Sequence, residues 1–230
     1  LRVYLRKDDP VMEKLKTQDA MAYHQCYYIG KKVGYPLYEN TDVVFYKEAA
    51  DGFHAQIEEM KKAQKFIFME YHAIEDREAF AEMKAVLFAK AKEGVEIRIV
   101  YDDVGSVGFI SPEFVKQMKA HGIDCRIFNP MMPVLNIFMN NRDHRKITVI
   151  DGMVGFTGGY NLANEYFNIT HPYGVWKDSG VRLEGEAVRS LTLIFLEMWN
   201  AIRDTDTAYE TYLPDCVFEA KGGGYVQPYA

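Results

Sequence analysis

The chain has 230 residues, of which 48% are apolar and 26% charged, with 16 Tyr, 14 Phe and 2 Trp. This is the composition of a folded globular chain with room for one substantial α/β domain, and it excludes a disordered one. Lys and Arg total 27 against 33 Asp and Glu, a formal net charge of −6, which excludes nucleic-acid binding through a general basic surface but leaves room for a local basic pocket.

Residues 1–35 are mixed in character and predict a short helix and an approach segment. Asp42 to Tyr46 is β-branched and aromatic and predicts a strand. Phe53, Ile57 and Met60 recur at helical spacing, giving an amphipathic helix over roughly 49–63. Lys65 to Tyr71 is apolar enough for a central strand. Phe80, Met83 and Leu87 mark a second helix with its stop at Gly94, and Val95 to Tyr101 is a third strand. Ser111-Pro112 opens a helix that Gly122 closes, ahead of a strand over Ile123 to Phe128. The rhythm β-α-β-α-β-α-β predicts an α/β fold: a mixed, largely parallel central sheet flanked by helices on both faces.

The rhythm then changes. Arg145 to Ile150 and Met153 to Thr157 are strands joined by the hairpin signal Asp151-Gly152. Gly158-Gly159 predicts a turn into a helix from Asn161, Val181 to Leu183 a strand, and Val188, Leu191, Phe195 and Met198 a long helix to about Arg203. Three regions result: an approach segment (1–35), the main domain (36–205) and a linker (206–230). The chain begins at Leu1 rather than Met and stops at Ala230 just after the apparent opening of a new strand, so we expect a piece of something longer. Cys26, Cys125 and Cys216 are far apart, fit neither a zinc site nor a disulfide framework, and point to a reducing environment. No apolar run of membrane-spanning length is present.

The densest polar cluster, Asn140 to Lys146, directly precedes an apolar strand. Side chains alternate across a strand, so His144 and Lys146 share a face. An ammonium can neutralise anionic oxygens while a neutral imidazole attacks phosphorus. Taken alone, a solvated strand end explains the pair as well. Gly158-Gly159-Tyr160-Asn161 adds a bend where the backbone can approach an anion and Asn161 can donate an amide, although a plain tight turn would use the same glycines. The apolar stretch 130–139 fits either packing into the domain or lining a lipid entrance. Six tyrosines between residues 23 and 46 fit either a membrane interface or ordinary packing.

His144-x-Lys146, Asp151 after four residues and Gly158-Gly159-Tyr160-Asn161 after six more resemble the HKD motif of the phospholipase D superfamily. Phe68-Met69-Glu70-Tyr71, Tyr101 to Ser106, Phe128-Asn129-Pro130, Asn164-Glu165-Tyr166 and Trp176-Lys177-Asp178 are similar to bacterial cardiolipin synthases, the likeness running over about residues 33–200. The resemblance implies metal-independent, cofactor-free phosphatidyl transfer through a phosphohistidine, joining two phosphatidylglycerol molecules into cardiolipin and glycerol. It makes His144 the motif histidine, and Lys146 and Asn161 phosphate ligands helped by Gly158 and Gly159. Asp151 belongs to the motif, but its place in the hairpin turn, away from His144, favours a structural role. A carboxylate is wanted behind His144; Asp178 matches a family carboxylate position, and Glu70, on an apolar strand, is the other candidate, with pairing to Arg or Lys as its competing role.

The sequence departs from the pattern in three places. Asp143 stands where Asn is commoner, Glu75-Asp76-Arg77 is unusually charged, and no second His-x-Lys-x4-Asp exists, His171-Pro172-Tyr173 failing the pattern. The expectation is therefore the first catalytic half of a cardiolipin synthase, inactive alone. Its partners would be phosphatidylglycerol, a second HKD half of the same polypeptide and, for the full-length protein, the cell membrane, with the catalytic part facing the cytoplasm and this fragment soluble; nucleic acid is not expected. The alternatives are a single-motif homodimeric phosphodiesterase or nuclease, and a phosphate-binding module without chemistry.

Overall fold

In the computed structural model, which describes residues 4–5, 9–131, 140–206, 208–215 and 218–230, the N-terminal stretch is two helices rather than one. Asp19 separates α1 (Asp9–Gln18) from α2 (Ala20–Tyr28) by accepting from the Met21 and Ala22 amides, the groups a helix start leaves unpaired. A π-helical turn, Ile29–Val33, ends at Gly34 with φ 92° and leads to the sheet.

Seven strands follow: β1 (Thr41–Tyr46), β2 (Phe66–Tyr71), β3 (Glu96–Asp102), β4 (Asp124–Phe128), β5 (Lys146–Ile150), β6 (Val154–Gly158) and β7 (Gly180–Gly185). Helices α3 (Ala49–Met60), α4 (Glu78–Lys92) and α5 (Pro112–Ala120) connect the first four, and α6 (Val188–Ile202) follows β7. The strand order is β1-β7-β6-β5-β2-β3-β4. The expected mixed α/β sheet is present, but its parallel share is smaller than the early rhythm implies. Among the described residues, the strand pairs β2–β3 and β3–β4 are parallel; β1–β7, β7–β6, β6–β5 and β5–β2 are antiparallel. Helix α3 does not return the chain beside β1, because the later β5–β6–β7 meander fills the space between β1 and β2.

Strand alternation divides two cores. Ile67, Met69 and Tyr71 of β2 face α3, α4 and α5 with Phe53, Ile57, Phe80, Met83 and Phe114. Phe66 and Phe68 face α6 with Leu191, Ile194, Phe195 and Trp199. Phe68 stacks on Phe195 with centroids 4.7 Å apart. Burying a side chain of that size stabilises the fold by roughly 2–3 kcal/mol. Glu70 falls by the same alternation on the α6 side of a strand that is otherwise apolar.

The predicted helix from Asn161 is absent. Leu162 N–H donates to Ala73 O and Glu75 N–H to Leu162 O, so the chain runs beside residues 73–75 instead of coiling. Only a four-residue 3-10 turn, Asn164–Phe167, forms. The charged Glu75-Asp76-Arg77 segment serves this docking: Glu75 Oε2 accepts from Asn164 N–H at 2.8 Å. Of the apolar stretch 130–139, residues 132–139 lie outside the described residues, as does Cys216.

Candidate active site

The parallel strands β2 and β3 end together, at Tyr71 and Asp102, and β5 begins opposite, with Lys146 paired to Tyr71. Ligand sites of α/β sheets collect beyond such strand ends. His144 lies here, two residues ahead of β5 and outside its ladder. Its side chain is exposed, whereas Lys146 is 5% exposed. Lys146 Nζ donates to His144 O at 2.6 Å. Burial pushes the Lys146 ammonium down to about 8, against the opposing pull of Asp143 and Asp178. The His144 imidazole is also held below its ordinary range, by desolvation first and then by the charge of Lys146 and by His72. At neutral pH the pair is therefore a neutral imidazole beside a cation.

Acidic groups crowd the same segment. Asp102 is fully buried and accepts from Asp143 N–H at 3.0 Å, Gly105 N–H at 3.0 Å and Arg142 Nη1 at 3.2 Å. Arg145 Nε lies 2.6 Å from Glu70 Oε1 and 3.1 Å from Asp143 Oδ1, and only the second contact has hydrogen-bond geometry. Burial, reinforced by the neighbouring Asp143 carboxylate, holds the Glu70 carboxyl well above the usual range despite Arg145. Glu70 thus takes the Arg pairing weighed for it in the sequence. Among the described residues, neither Glu70 nor Asp178 hydrogen-bonds the His144 ring.

Asp178 lies instead against the glycine bend, where its charge raises the Lys146 pKa. Its Oδ1 accepts from Ser179 N–H at 2.9 Å, and Trp176 Nε1 is 3.4 Å from its Oδ2. Asn168 fixes this loop by bonding both the N–H and C=O of Trp176. A Cβ on Gly159 would sit 1.9 Å from Asp178 Oδ1, and one on Gly158 would sit 2.6 Å from Ser179 O. The glycines are required because the Asp178–Ser179 chain lies against them. Gly159 N–H donates to Ser179 O at 3.1 Å, so that amide is engaged in the fold and no helix start stands behind it. Asn161 is buried; its Oδ1 accepts from Ala73 N–H and its Nδ2 donates to Tyr166 OH at 2.7 Å, leaving one amide hydrogen uncommitted among the described residues.

Asp151 is at the other end of β5. At φ 52° its carboxylate accepts from Gln64, Lys65 and Phe66 N–H at 2.8, 2.8 and 2.9 Å, tying the hairpin to the start of β2.

Sequence reasoning missed His72 and left Asp102 without a role. The His72 ring is 4.9 Å from that of His144 and Nδ1 is 2.8 Å from Asp143 O. The available signal was position: each is at or just beyond the C-terminal end of a parallel strand.

Residues 56–199 match the model of the family described as cardiolipin synthase, PLD-like domain. The chain belongs to that family. It is 38% identical over its whole length to an uncharacterized protein of Streptococcus mutans, covering 50% of it. It is 34% identical to cardiolipin synthase 2 of Staphylococcus epidermidis, with 90% of this chain and 44% of that protein covered. The chain thus spans about half the length of the curated relatives it matches. Among solved structures it resembles Nuc of Salmonella typhimurium, a phospholipase D family member, with a TM-score of 0.54 at 18% identity over 74% of this chain and 100% of that one. That likeness is one of fold. Among the described residues, no helix is long and apolar enough to cross a membrane, and no cluster of three or more His, Cys, Asp or Glu is placed to hold a metal ion.

Proposed function

We propose that the chain is one catalytic half of a cardiolipin synthase, contributing His144 to a phosphatidyl transfer that a second His-x-Lys half completes. The observation that carries this reading is the buried Lys146 ammonium bonded to the backbone carbonyl of the exposed His144, in a chain of this family.

In this reading, Lys146 and the free amide hydrogen of Asn161 bind the phosphodiester of phosphatidylglycerol. One motif imidazole attacks phosphorus with its lone pair. The bond from phosphorus to the glycerol oxygen breaks, and the other imidazole gives its proton to the departing alcohol. That second imidazole then takes the proton of an incoming phosphatidylglycerol hydroxyl, whose oxygen attacks phosphorus as the P–N bond breaks. Cardiolipin and glycerol leave, and both imidazoles return to their starting state. Asp178 keeps Lys146 charged, and Asp151 has a structural role. The other half, from the same polypeptide, faces this strand end, and the full-length protein works at the cell membrane.

The test uses phosphatidylglycerol labelled at phosphorus. The polypeptide carrying both halves forms cardiolipin and traps label as an acid-labile phosphohistidine, and His144→Ala abolishes turnover. The 230-residue chain alone, run as a monomer, is inactive. Turnover surviving in His144→Ala refutes the assignment. Hydrolysis of a nucleic-acid phosphodiester by a dimer of the 230-residue chain establishes the single-motif reading in its place.

A further inference from the structure

His144 precedes the ladder of β5, so the sheet does not fix it. Side chains from the neighbouring strand ends hold its segment instead. Asp102 accepts the Asp143 N–H at 3.0 Å. His72 Nδ1 lies 2.8 Å from Asp143 O, the carbonyl of the peptide leading into His144. A carbonyl oxygen only accepts, so Nδ1 is the donor in this bond. The two rings meet at 4.9 Å with their planes inclined by 55°.

We propose that His72 is a positioning residue for His144, bonding the peptide that carries it and packing against its ring. Gly105 makes room for this ring. A Cβ there would lie 2.3 Å from His72 O and 2.7 Å from both Cε1 and Nε2. Gly105 in turn donates its N–H to Asp102 at 3.0 Å. The carboxylate that brackets the Asp143 amide therefore also anchors the loop lying on His72. His72 Nδ1 is 4.0 Å from Asp102 Oδ1, which favours the proton on that nitrogen. His72 and Asp102 thus grip the backbone of Asp143 from its two sides. Neither acts on phosphorus; both determine where the His144 imidazole stands.

Amide hydrogen exchange in the isotopically labelled 230-residue chain tests the grip. His72→Ala should speed exchange at Asp143 and Arg145 about tenfold, with β5 amides unchanged. His72→Asn retains a side-chain N–H for Asp143 O and should restore most of the protection; His72→Phe retains a ring but no donor and should not. In the polypeptide carrying both halves, His72→Ala should lower kcat about tenfold to a hundredfold, with KM within about twofold, and His72→Asn should recover part of kcat. Unchanged exchange in His72→Ala, or equal exchange in the Ala and Asn variants, overturns the proposal. So does a rise in KM alone, which makes His72 a substrate contact. The kinetic arm rests on the proposed phosphatidyl transfer; the exchange arm does not. An enzyme that ignores His144→Ala while exchange responds to His72 refutes the function and leaves the grip standing.

Discussion

The two ends of β5 carry charged motif residues in opposite circumstances. At one end, Asp151 is saturated by three backbone amides of the β2 approach. At the other, Lys146 is desolvated, Glu70 is pressed against Asp143 and Arg145, and Asp143 Oδ2 has no hydrogen-bond partner among the described residues. A charge satisfied by fixed dipoles builds structure, because removing it strands several donors. A buried ammonium such as that of Lys146 gains from an incoming anion, whereas the carboxylates crowded beside it are held in an unfavourable setting only by the surrounding fold. One five-residue strand therefore separates a terminus whose charge is fully satisfied from one whose charges are not.

The contrast is open to attack by substitution. His144→Ala should cut phosphatidyl transfer by the two-half enzyme at least about 10⁴-fold, with unfolding free energy moved by under about 0.5 kcal/mol, since the side chain is exposed. Lys146→Met should lower activity about 10²- to 10³-fold while raising the melting temperature, because a thioether replaces a desolvated ammonium; a fall in melting temperature would place Lys146 among the stabilising groups. Asp151→Ala should behave in the opposite sense, costing about 2–4 kcal/mol in urea unfolding and leaving the affinity of the folded molecules for inorganic phosphate unchanged. Gly159→Ala has the smallest effect, displacing Asp178 and weakening phosphate binding by about tenfold or less.

The Gly159 variant also sharpens the pH dependence. Lys146 is charged below about 8 and loses its proton as pH rises through that value, so phosphate binding should fall on the alkaline side there. Asp178 pulls that midpoint upward, and moving it away should shift the alkaline limb to lower pH. On the acid side, the attacking role proposed for one motif imidazole requires a neutral ring, and burial holds the His144 ring below the ordinary imidazole range. With His144 in that role, activity should rise with pH through a midpoint below that of an ordinary imidazole.

Much of the fold was legible because burial imposes a period. The alternation of Phe66 to Tyr71 and the 3.6-residue spacing of Phe53, Ile57 and Met60 are local consequences of which face meets a core. Strand order was less so. Whether β1 lies beside β2 or β7 depends on a meander more than a hundred residues downstream, and local pattern does not carry that. The bend at Gly158-Gly159 was visible, but its cause was not: the constraint is the Asp178–Ser179 chain arriving from another segment. His72 was invisible to motif spacing because it belongs to no motif, and only the β2–β5 pairing brings it beside His144.

That pairing also bears on how the chain folds. Between β2 and β5, Tyr71 meets Lys146 and Ile67 meets Ile150, contacts that close a very long loop and are slow to nucleate. During synthesis the nascent chain can zip β2 to β3, and β3 to β4, well before β5 leaves the ribosome. The imidazole of His144 therefore acquires the His72 and Asp102 side of its surroundings only once β5 has paired with β2, so assembly intermediates carry no partly formed site.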